Sequence, residues 1–234
     1  MRSIPLVLIL LFLGSGIVSP TLTQQEAEHK LVQFQMALLK RGPAWSKVDF
    51  DNPPDNIRQH QAYEQSLLKS AKAIIAGRVT DDGELCGVYI FRTATLEEAK
   101  ALAMADPAVM SGHFLVEMHP WLSEDVMKKM GPSMKMNTAY LVLLTRGAKW
   151  TPESTPATEE LQKQHMANIM RLAEMKKLVV AGPFADNGPL RGIFVFKVDS
   201  LDEAKSLTAT DPAVKAGRLE VEIHPWLVYE GILP

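Results

Sequence analysis

The sequence contains two copies of one unit, and this duplication constrains the fold more than any other feature. The strings FLVEMHPW (residues 114–121) and LEVEIHPW (residues 219–226) lie 219 − 114 = 105 positions apart. At the same offset, without a gap, residues 59–122 align with residues 164–227, and 28 of the 64 pairs are identical. A unit of roughly 100 residues is much longer than a solenoid repeat, so each copy should form a domain.

We divide the chain into four parts on this basis. Residues 1–23 are predicted to be a signal peptide, 24–122 the first repeat, 123–137 a linker and 138–234 the second repeat. The linker, SEDVMKKMGPSMKMN, has no regular apolar periodicity, and its Gly-Pro pair breaks any helix.

The signal peptide is predicted from the apolar run Ile4–Leu13, which small and polar residues follow. A run of this length is too short to span a bilayer and is typical of a secretory signal. We therefore expect the protein to be exported, to the periplasm or outside the cell. An uncleaved membrane anchor is the alternative.

Composition limits the classes of partner. The formal net charge is −2, with no basic excess to neutralise phosphates, so we expect no nucleic acid partner. Once the signal is removed, we expect no membrane association either. Cys86 is the single cysteine, so no intramolecular disulfide can form, and its apolar neighbours favour a place in the core over a nucleophilic role.

Each copy is predicted to follow the order βαββαβ. The turns DDGELCG and DNGPLRG indicate hairpins, and TLEEA and SLDEA are capping boxes that begin the second helix. That helix should end before Asp-Pro, because proline disfavours helical geometry in the preceding residue. The fold class is therefore α+β, with two ferredoxin-like repeats. Each leaves one sheet face bare, so we expect the two sheets to pack together as an intramolecular pseudo-dimeric α+β barrel.

Strand alternation places polar side chains between the two sheets. Phe114, Val116 and Met118 should face the helices. The residues that alternate with them should then face the space between the two sheets. This predicts a polar, ligand-sized interior; the alternative is that these groups face solvent at a rim or satisfy one another. Two Glu-x-His pairs meeting at the pseudo-twofold axis could hold a divalent ion, but we predict no metal site. The four candidate ligand-binding residues are Glu117, His119, Glu222 and His224.

Several motifs make both halves resemble YCII-related domains. They are QHQA and QHMA in the first helix, the Ala-Gly strands IIAGRVTDDG and VVAGPFADNG, the Asp-Pro helix ends, and the final His-Pro-Trp. The resemblance covers nearly all of the chain outside the signal. It implies a dimeric α+β barrel and, by analogy, a lyase or isomerase that needs no cofactor and uses a His/Asp pair in the barrel cleft.

Carried over by position, that implied catalytic pair is His60 with Asp106, and His165 with Asp211. A carboxylate fixes the tautomer of an imidazole and makes it a general base, and a position near a helix start favours the neutral form. The alternative is that each aspartate only closes a turn by binding backbone amides.

The chain departs from the family pattern in two places. Where some members carry an acid late in the first helix, this chain has Lys69 and Glu174 nearby. The second repeat keeps Gly-Pro, whereas the first has Gly77 followed by Arg78. The first departure puts the additional acid in doubt, and the second suggests that the two clefts differ.

Two arginines follow the first strand of each copy. Arg41 and Arg146 could bind an anionic ligand or cap strand ends in solvent, and the four tryptophans are interpreted as packing anchors. The prediction is thus an exported small-molecule enzyme of unknown substrate. The alternative is a non-catalytic ligand-binding or structural module. The sequence leaves open whether the chain pairs again into a homo-oligomer.

Overall fold

The structure is a computed structural model, and it describes residues 30–234. The predicted signal peptide, residues 1–23, lies outside the described residues. Within residues 30–234, no helix has the length and apolar character needed to cross a membrane.

The first repeat has the predicted order, with one short extra helix. Its elements are β1 (Leu31–Arg41), α1 (Asp55–Lys69), β2 (Ala73–Val79), β3 (Leu85–Phe91), α2 (Leu96–Met104), α3 (Pro107–Met110) and β4 (Phe114–Glu124). Helix α2 begins as its sequence indicates, because Thr95 accepts a hydrogen bond from the amide of Glu98 (3.1 Å).

The second repeat has the same order, and its first helix is longer. Its elements are β5 (Met136–Arg146), α4 (Pro156–Glu174), β6 (Leu178–Pro183), β7 (Leu190–Phe196), α5 (Leu201–Thr208), α6 (Pro212–Lys215) and β8 (Leu219–Tyr229). Helix α4 begins with a capping box between Thr155 and Thr158 and with proline at its first position.

The extra helices α3 and α6 begin directly at the Asp-Pro pairs. Asp106 accepts a hydrogen bond from the amide of Ala108 (2.8 Å), and Asp211 accepts one from that of Ala213 (2.9 Å). The second helix of each repeat therefore ends before Asp-Pro, as predicted. The same aspartate then caps a new single turn.

All eight strands form one antiparallel sheet that closes into a barrel. The strand order is β4-β1-β3-β2-β8-β5-β7-β6, and β2 pairs with β8 between the repeats. A bridge between Trp121 and Phe184 brings β4 against β6, so the two ends of the sheet meet. We call the β2–β8 and β4–β6 contacts the two seams. The predicted pseudo-dimeric α+β barrel is confirmed.

The barrel interior is packed with apolar side chains from both repeats. Phe34, Trp121 and Trp226 are fully buried there, together with aliphatic residues of β1, β3, β5 and β7. The predicted ligand-sized polar interior is therefore wrong. An eight-stranded barrel is only just wide enough for its own side chains to fill, and large aromatic residues occupy this one.

Close backbone approach at the seams explains two glycines. A Cβ atom at Gly182 would lie 1.9 Å from the carbonyl oxygen of Leu122, and one at Gly77 would lie 2.5 Å from Nε1 of Trp226. The indole Nε1 of Trp121 also donates a hydrogen bond to the carbonyl oxygen of Gly182 (3.1 Å). Trp121 and Trp226 are thus packing anchors of the two seams.

Candidate functional site

In the first repeat, α1 and α3 bring a histidine and an aspartate together over the sheet. His60 lies in the second turn of α1, and its Nδ1 is 2.7 Å from Oδ2 of Asp106. The other carboxylate oxygen, Oδ1, accepts the amide of Ala108. Asp106 therefore fills both roles considered from the sequence: one oxygen caps α3, and the other orients the imidazole.

Two further polar side chains complete this group. The hydroxyl of Tyr89, on β3, donates a hydrogen bond to Oδ2 of Asp106 and lies 3.3 Å from Nδ1 of His60. Oε1 of Glu64, one helical turn after His60, lies 3.4 Å from Nε2 of the imidazole. We call His60, Glu64, Tyr89 and Asp106 the tetrad.

Burial and mutual contact shift the pKa values within the tetrad. Burial acts to lower the pKa of His60, but the negative charges of Glu64 and Asp106 outweigh it and raise that pKa. Burial raises the pKa of Glu64 despite His60 nearby, and it raises the pKa of Tyr89 well above its ordinary range. Burial also disfavours ionised Asp106, yet donors from His60, Tyr89 and Ala108 lower its pKa.

The protonation pattern follows from these directions. The lowered pKa of Asp106 favours its ionised form, which accepts a proton from Nδ1 of His60, and Nε2 then faces Glu64. The expectation that a helix start keeps His60 a neutral base is wrong in direction. The two carboxylates in contact with the imidazole raise its pKa by more than a helix terminus one turn away lowers it.

The tetrad lies on the helical side of the sheet. The ring of His60 packs against that of Phe114 (5.3 Å between centroids), and Tyr89 belongs to the apolar cluster beneath α1 and α2. The expectation of a His/Asp pair in the barrel cleft is therefore wrong in position. The first helix lies outside the barrel, so its side chains meet the outer face of the sheet.

The second repeat keeps the pair and loses the rest of the tetrad. Nδ1 of His165 is again 2.7 Å from Oδ2 of Asp211. Phe194 occupies the position of Tyr89 (89 + 105 = 194) and stacks on His165, with 5.9 Å between the ring centroids. Ile169 occupies the position of Glu64 (64 + 105 = 169).

The strand-end histidines join the two repeats across the seams. Nδ1 of His119 lies 2.6 Å from Oδ2 of Asp186, and Nδ1 of His224 lies 2.7 Å from Oδ2 of Asp81. Each aspartate belongs to the hairpin turn of the opposite repeat, and both histidines are buried. The two Glu-x-His pairs thus bind opposite hairpins at separate seams.

The associated glutamates stay beside their own histidines. Oε1 of Glu117 is 3.0 Å from Nε2 of His119, and Oε1 of Glu222 is 3.3 Å from Nε2 of His224. Glu117 also forms an ion pair with Lys40. Within residues 30–234, no three histidine, cysteine, aspartate or glutamate side chains form a group suited to a metal ion.

The remaining candidates lie apart from the tetrad. The guanidinium groups of Arg41 and Arg146 lie over Trp45 (4.0 Å) and Trp150 (5.4 Å), respectively. Each also donates to a backbone carbonyl of its neighbouring hairpin turn. Lys69 and Glu174, near the position of an acid in some family members, are exposed at the helix ends.

Sequence reasoning missed Glu64 and Tyr89. Glu64 follows His60 by four residues, a spacing that places two side chains on one face of a helix. Tyr89 faces the helical layer by strand alternation. Both signals were present in the sequence, but each is also common in ordinary surface or core positions.

Two cavities lie near the helical layers. One of about 360 Å³ lies between the end of α1 and the linker and is lined by Leu68, Lys69, Lys129 and Met130, among others. The other, of about 40 Å³, is lined by residues including Trp150, Leu161, Ala213 and Arg218. The smaller one adjoins the second-repeat pair, because the amide of Ala213 binds Asp211.

Two ferredoxin-like units closed into one barrel define the class of dimeric α+β barrels, built here from a single chain. The profile of the YCII-related domain family matches the chain twice, over residues 36–122 and 141–227. The chain belongs to this family. It is 36% identical over 76 residues to the uncharacterized protein YjpA of Bacillus subtilis (strain 168), which covers 31% of this chain and 87% of that relative.

Solved structures agree with the class of fold. A point mutant of chlorite dismutase from Candidatus Nitrospira defluvii has a TM-score of 0.55 at 13% identity, covering 86% of this chain and 92% of that one. A heme-binding protein from Thermus thermophilus has a TM-score of 0.50 at 14% identity, covering 85% and 91%. At this level of identity, the likeness concerns the fold alone.

Proposed function

We propose that the protein is an exported small-molecule enzyme of the lyase or isomerase type, in which the tetrad of the first repeat transfers a proton. One observation carries the proposal. His60 is held between Asp106 at Nδ1, whose pKa is lowered, and the mostly buried Glu64 at Nε2. An imidazole between two carboxylates can accept or release a proton near neutral pH without moving.

Each member of the tetrad has a distinct role in this proposal. Asp106 fixes the Nδ1–H tautomer and stabilises the imidazolium, and Tyr89 keeps Asp106 ionised by donating to it. The side chain of Glu64 is 19% exposed, and that of His60 is 11% exposed. In this proposal the substrate contacts Glu64, and His60 supplies or stores the proton behind it.

Neighbouring charge favours an acidic substrate. Arg78 is half-buried and interacts electrostatically with Glu64, and its guanidinium lies 3.6 Å from the ring centre of exposed Phe50. An enol or phenol that loses a proton to Glu64 becomes an anion. In this proposal Arg78 stabilises that charge, because it already interacts electrostatically with Glu64.

The second candidate function is a non-catalytic ligand-binding or structural module. The second repeat favours it, because His165 and Asp211 keep the same 2.7 Å contact there without Tyr89 or Glu64 counterparts. In that repeat the pair serves to hold α4 against α6. The two functions differ in whether the tetrad turns over a substrate.

Heme binding, the property for which one structural neighbour is named, does not fit the residues that the structure describes. A heme ligand needs a ring nitrogen that faces a large cavity. The side chains of His60, His119, His165 and His224 are at most 11% exposed, and His113 is 3% exposed. None of them lines either cavity described above.

Export is the part of the proposal that rests on residues 1–23 alone. Their apolar run and small residues are typical of a secretory signal. N-terminal sequencing of the protein purified from the extracytoplasmic fraction should find a chain that begins near residue 24. A full-length chain in the membrane fraction would instead support an uncleaved anchor.

Proton transfer can be tested before the substrate is known. The protein is incubated in D2O with a panel of enolisable ketones, keto acids and phenols, and NMR measures deuterium incorporation. We expect exchange into at least one class, and His60→Gln or Glu64→Gln should slow it about a hundredfold. Circular dichroism confirms that each variant is folded.

His165→Gln is the matched control, since it changes the same residue type at the same position of the second repeat. It should leave the exchange rate unchanged. Exchange that survives His60→Gln, or that His165→Gln removes, would contradict the role of the first-repeat tetrad. Exchange into no compound of the panel would favour the binding module.

A further inference from the structure

Three arginines of the second repeat surround one tryptophan. The guanidinium carbons of Arg146, Arg191 and Arg218 lie 5.4, 4.7 and 4.7 Å from the ring centre of Trp150. They come from β5, β7 and the residue before β8. We call these three residues the arginine cluster.

The cluster has no acidic hydrogen-bond partner among the described residues. Arg146 donates to the carbonyl oxygen of Asn187 (2.8 Å), and Arg218 donates to Oγ1 and the carbonyl oxygen of Thr151 (3.0 and 2.6 Å). Nε of Arg191 is buried and has no hydrogen-bond partner. Adjacent like charges without a carboxylate destabilise one another, and a bound anion would relieve that repulsion.

The acid that attracts Arg191 is already engaged. Asp186 attracts Arg191 electrostatically, but its Oδ2 binds His119 across the seam and its Oδ1 accepts the amide of Gly188 (3.0 Å). Asp186 therefore offsets part of one charge and leaves the other two arginines unpaired.

The first repeat shows that the fold does not require this charge. At an offset of 105, the counterparts of the three arginines are Arg41, Cys86 and His113. One permanent positive charge thus occupies the position where the second repeat has three. The tryptophan is kept in both repeats, so the additional arginines are a local property of the second.

The acidic residues nearby change in the opposite direction. The first-repeat turn contains Asp82 and Glu84, and the equivalent positions of the second-repeat turn are Asn187 and Pro189. At these positions the second repeat therefore has two fewer negative charges and two more permanent positive charges than the first repeat. Both changes make the same surface more attractive to an anion.

We propose that the arginine cluster is a binding site for an oxyanion, the phosphate or carboxylate group of a small molecule. Guanidinium groups bind such anions through paired N–H donors, and Arg191 offers an unused buried N–H. A cavity of about 40 Å³, lined in part by Trp150 and Arg218, adjoins the cluster. This site goes beyond the proposed function, because it uses no residue of the tetrad.

Isothermal titration calorimetry with inorganic phosphate, acetate and chloride at constant ionic strength tests the proposal. We expect phosphate or acetate to bind more tightly than chloride, and the stronger of the two identifies the group recognised. Arg191→Gln should weaken that binding about tenfold or more, the usual loss for a charge-assisted hydrogen bond. The melting temperature checks that the variant is folded.

Lys163→Gln is the matched control for net charge. Lys163 is exposed on α4 of the same repeat, and its replacement removes one positive charge outside the cluster. It should change the affinity less than about twofold, as a screened surface charge does. Equal binding of chloride, or an equal loss in Arg191→Gln and Lys163→Gln, would overturn the proposal.

Discussion

The two repeats share a backbone and a His–Asp contact of the same length, but they differ in what surrounds it. In the first repeat, Tyr89 and Glu64 add a donor and a second carboxylate to the pair. In the second, Phe194 and Ile169 make the same surroundings apolar.

This difference separates what the fold needs from what a function needs. Asp106 and Asp211 both cap a one-turn helix and bind a histidine, so those contacts serve the architecture of either repeat. Tyr89 and Glu64 are not required to build the fold, because the second repeat forms without their counterparts. The mostly buried carboxylate and the buried hydroxyl that the fold does not need are the groups on which the proposed function depends.

The largest expected effect is the loss of the shared aspartate. Asp106→Ala removes the α3 cap and leaves His60 Nδ1 and the Tyr89 hydroxyl without their common acceptor, so the free energy of unfolding should fall by about 4 kcal/mol. Asp211→Ala, which leaves only His165, should cost about 2 kcal/mol. Chemical denaturation measures both values; equal losses would mean that the tetrad adds no stability to the pair.

The seams should respond alike in the two repeats. His119→Ala and His224→Ala each remove a buried histidine from the aspartate of the opposite hairpin, and each should cost about 2 kcal/mol. Because each seam contains one such His–Asp contact, the two losses should agree within about 0.5 kcal/mol. A large inequality in the denaturation midpoints would show that one seam dominates closure.

A smaller effect isolates the tyrosine hydroxyl. Tyr89→Phe removes one donor from buried Asp106 and should destabilise the fold by about 1.5 kcal/mol. Phe194→Tyr introduces the hydroxyl near Asp211, and the new bond should offset its burial to within about 0.5 kcal/mol. If Tyr89→Phe were neutral, the hydroxyl would not be supporting the ionised aspartate.

The smallest effect concerns pH. The pKa values of both His60 and Glu64 are raised on folding, so the folded state binds more protons than the unfolded state. Their contribution to stability is complete below the unfolded values, 4.5 for Glu64 and 6.5 for His60. It is lost as pH rises through the folded values.

Glu64→Gln tests this sign directly. It removes a main cause of the raised pKa of His60 and leaves burial, which lowers that pKa, opposed by Asp106 alone. Denaturation between about pH 5 and about pH 8 should therefore show a shallower fall in stability for the variant than for the natural protein. Ile169→Val, a change at the equivalent position of the second repeat, should not alter the slope.

Most of the fold could be predicted from the sequence. The offset repeat, the hairpin turns and the capping residues Thr95 and Ser200 are local signals, and they determine the order and the bare sheet faces. Helices α3 and α6 were missed because four residues are too few for a periodic pattern. The Asp-Pro-Ala-Val strings, with a cap followed by proline, were the available sign.

The site could be predicted only in part. His60 and Asp106 were predicted as a pair. For the strand residues, alternation predicts which face of the sheet a side chain lies on, but not which residues fill the space on that side. The size of the barrel interior depends on strand number and on residues such as Phe34 and Trp226 from distant strands. The hairpin partners of His119 and His224, 67 and 143 residues away, depend on how the repeats dock.

The two histidine links between opposite hairpins have a consequence for how the molecule can change. In a barrel made of two identical subunits, every substitution would appear on both sides and closure would weaken on dilution. Here both partners are on one chain, so closure is unimolecular and independent of protein concentration. One half can then lose its polar groups, or gain new charge, while the other half remains intact.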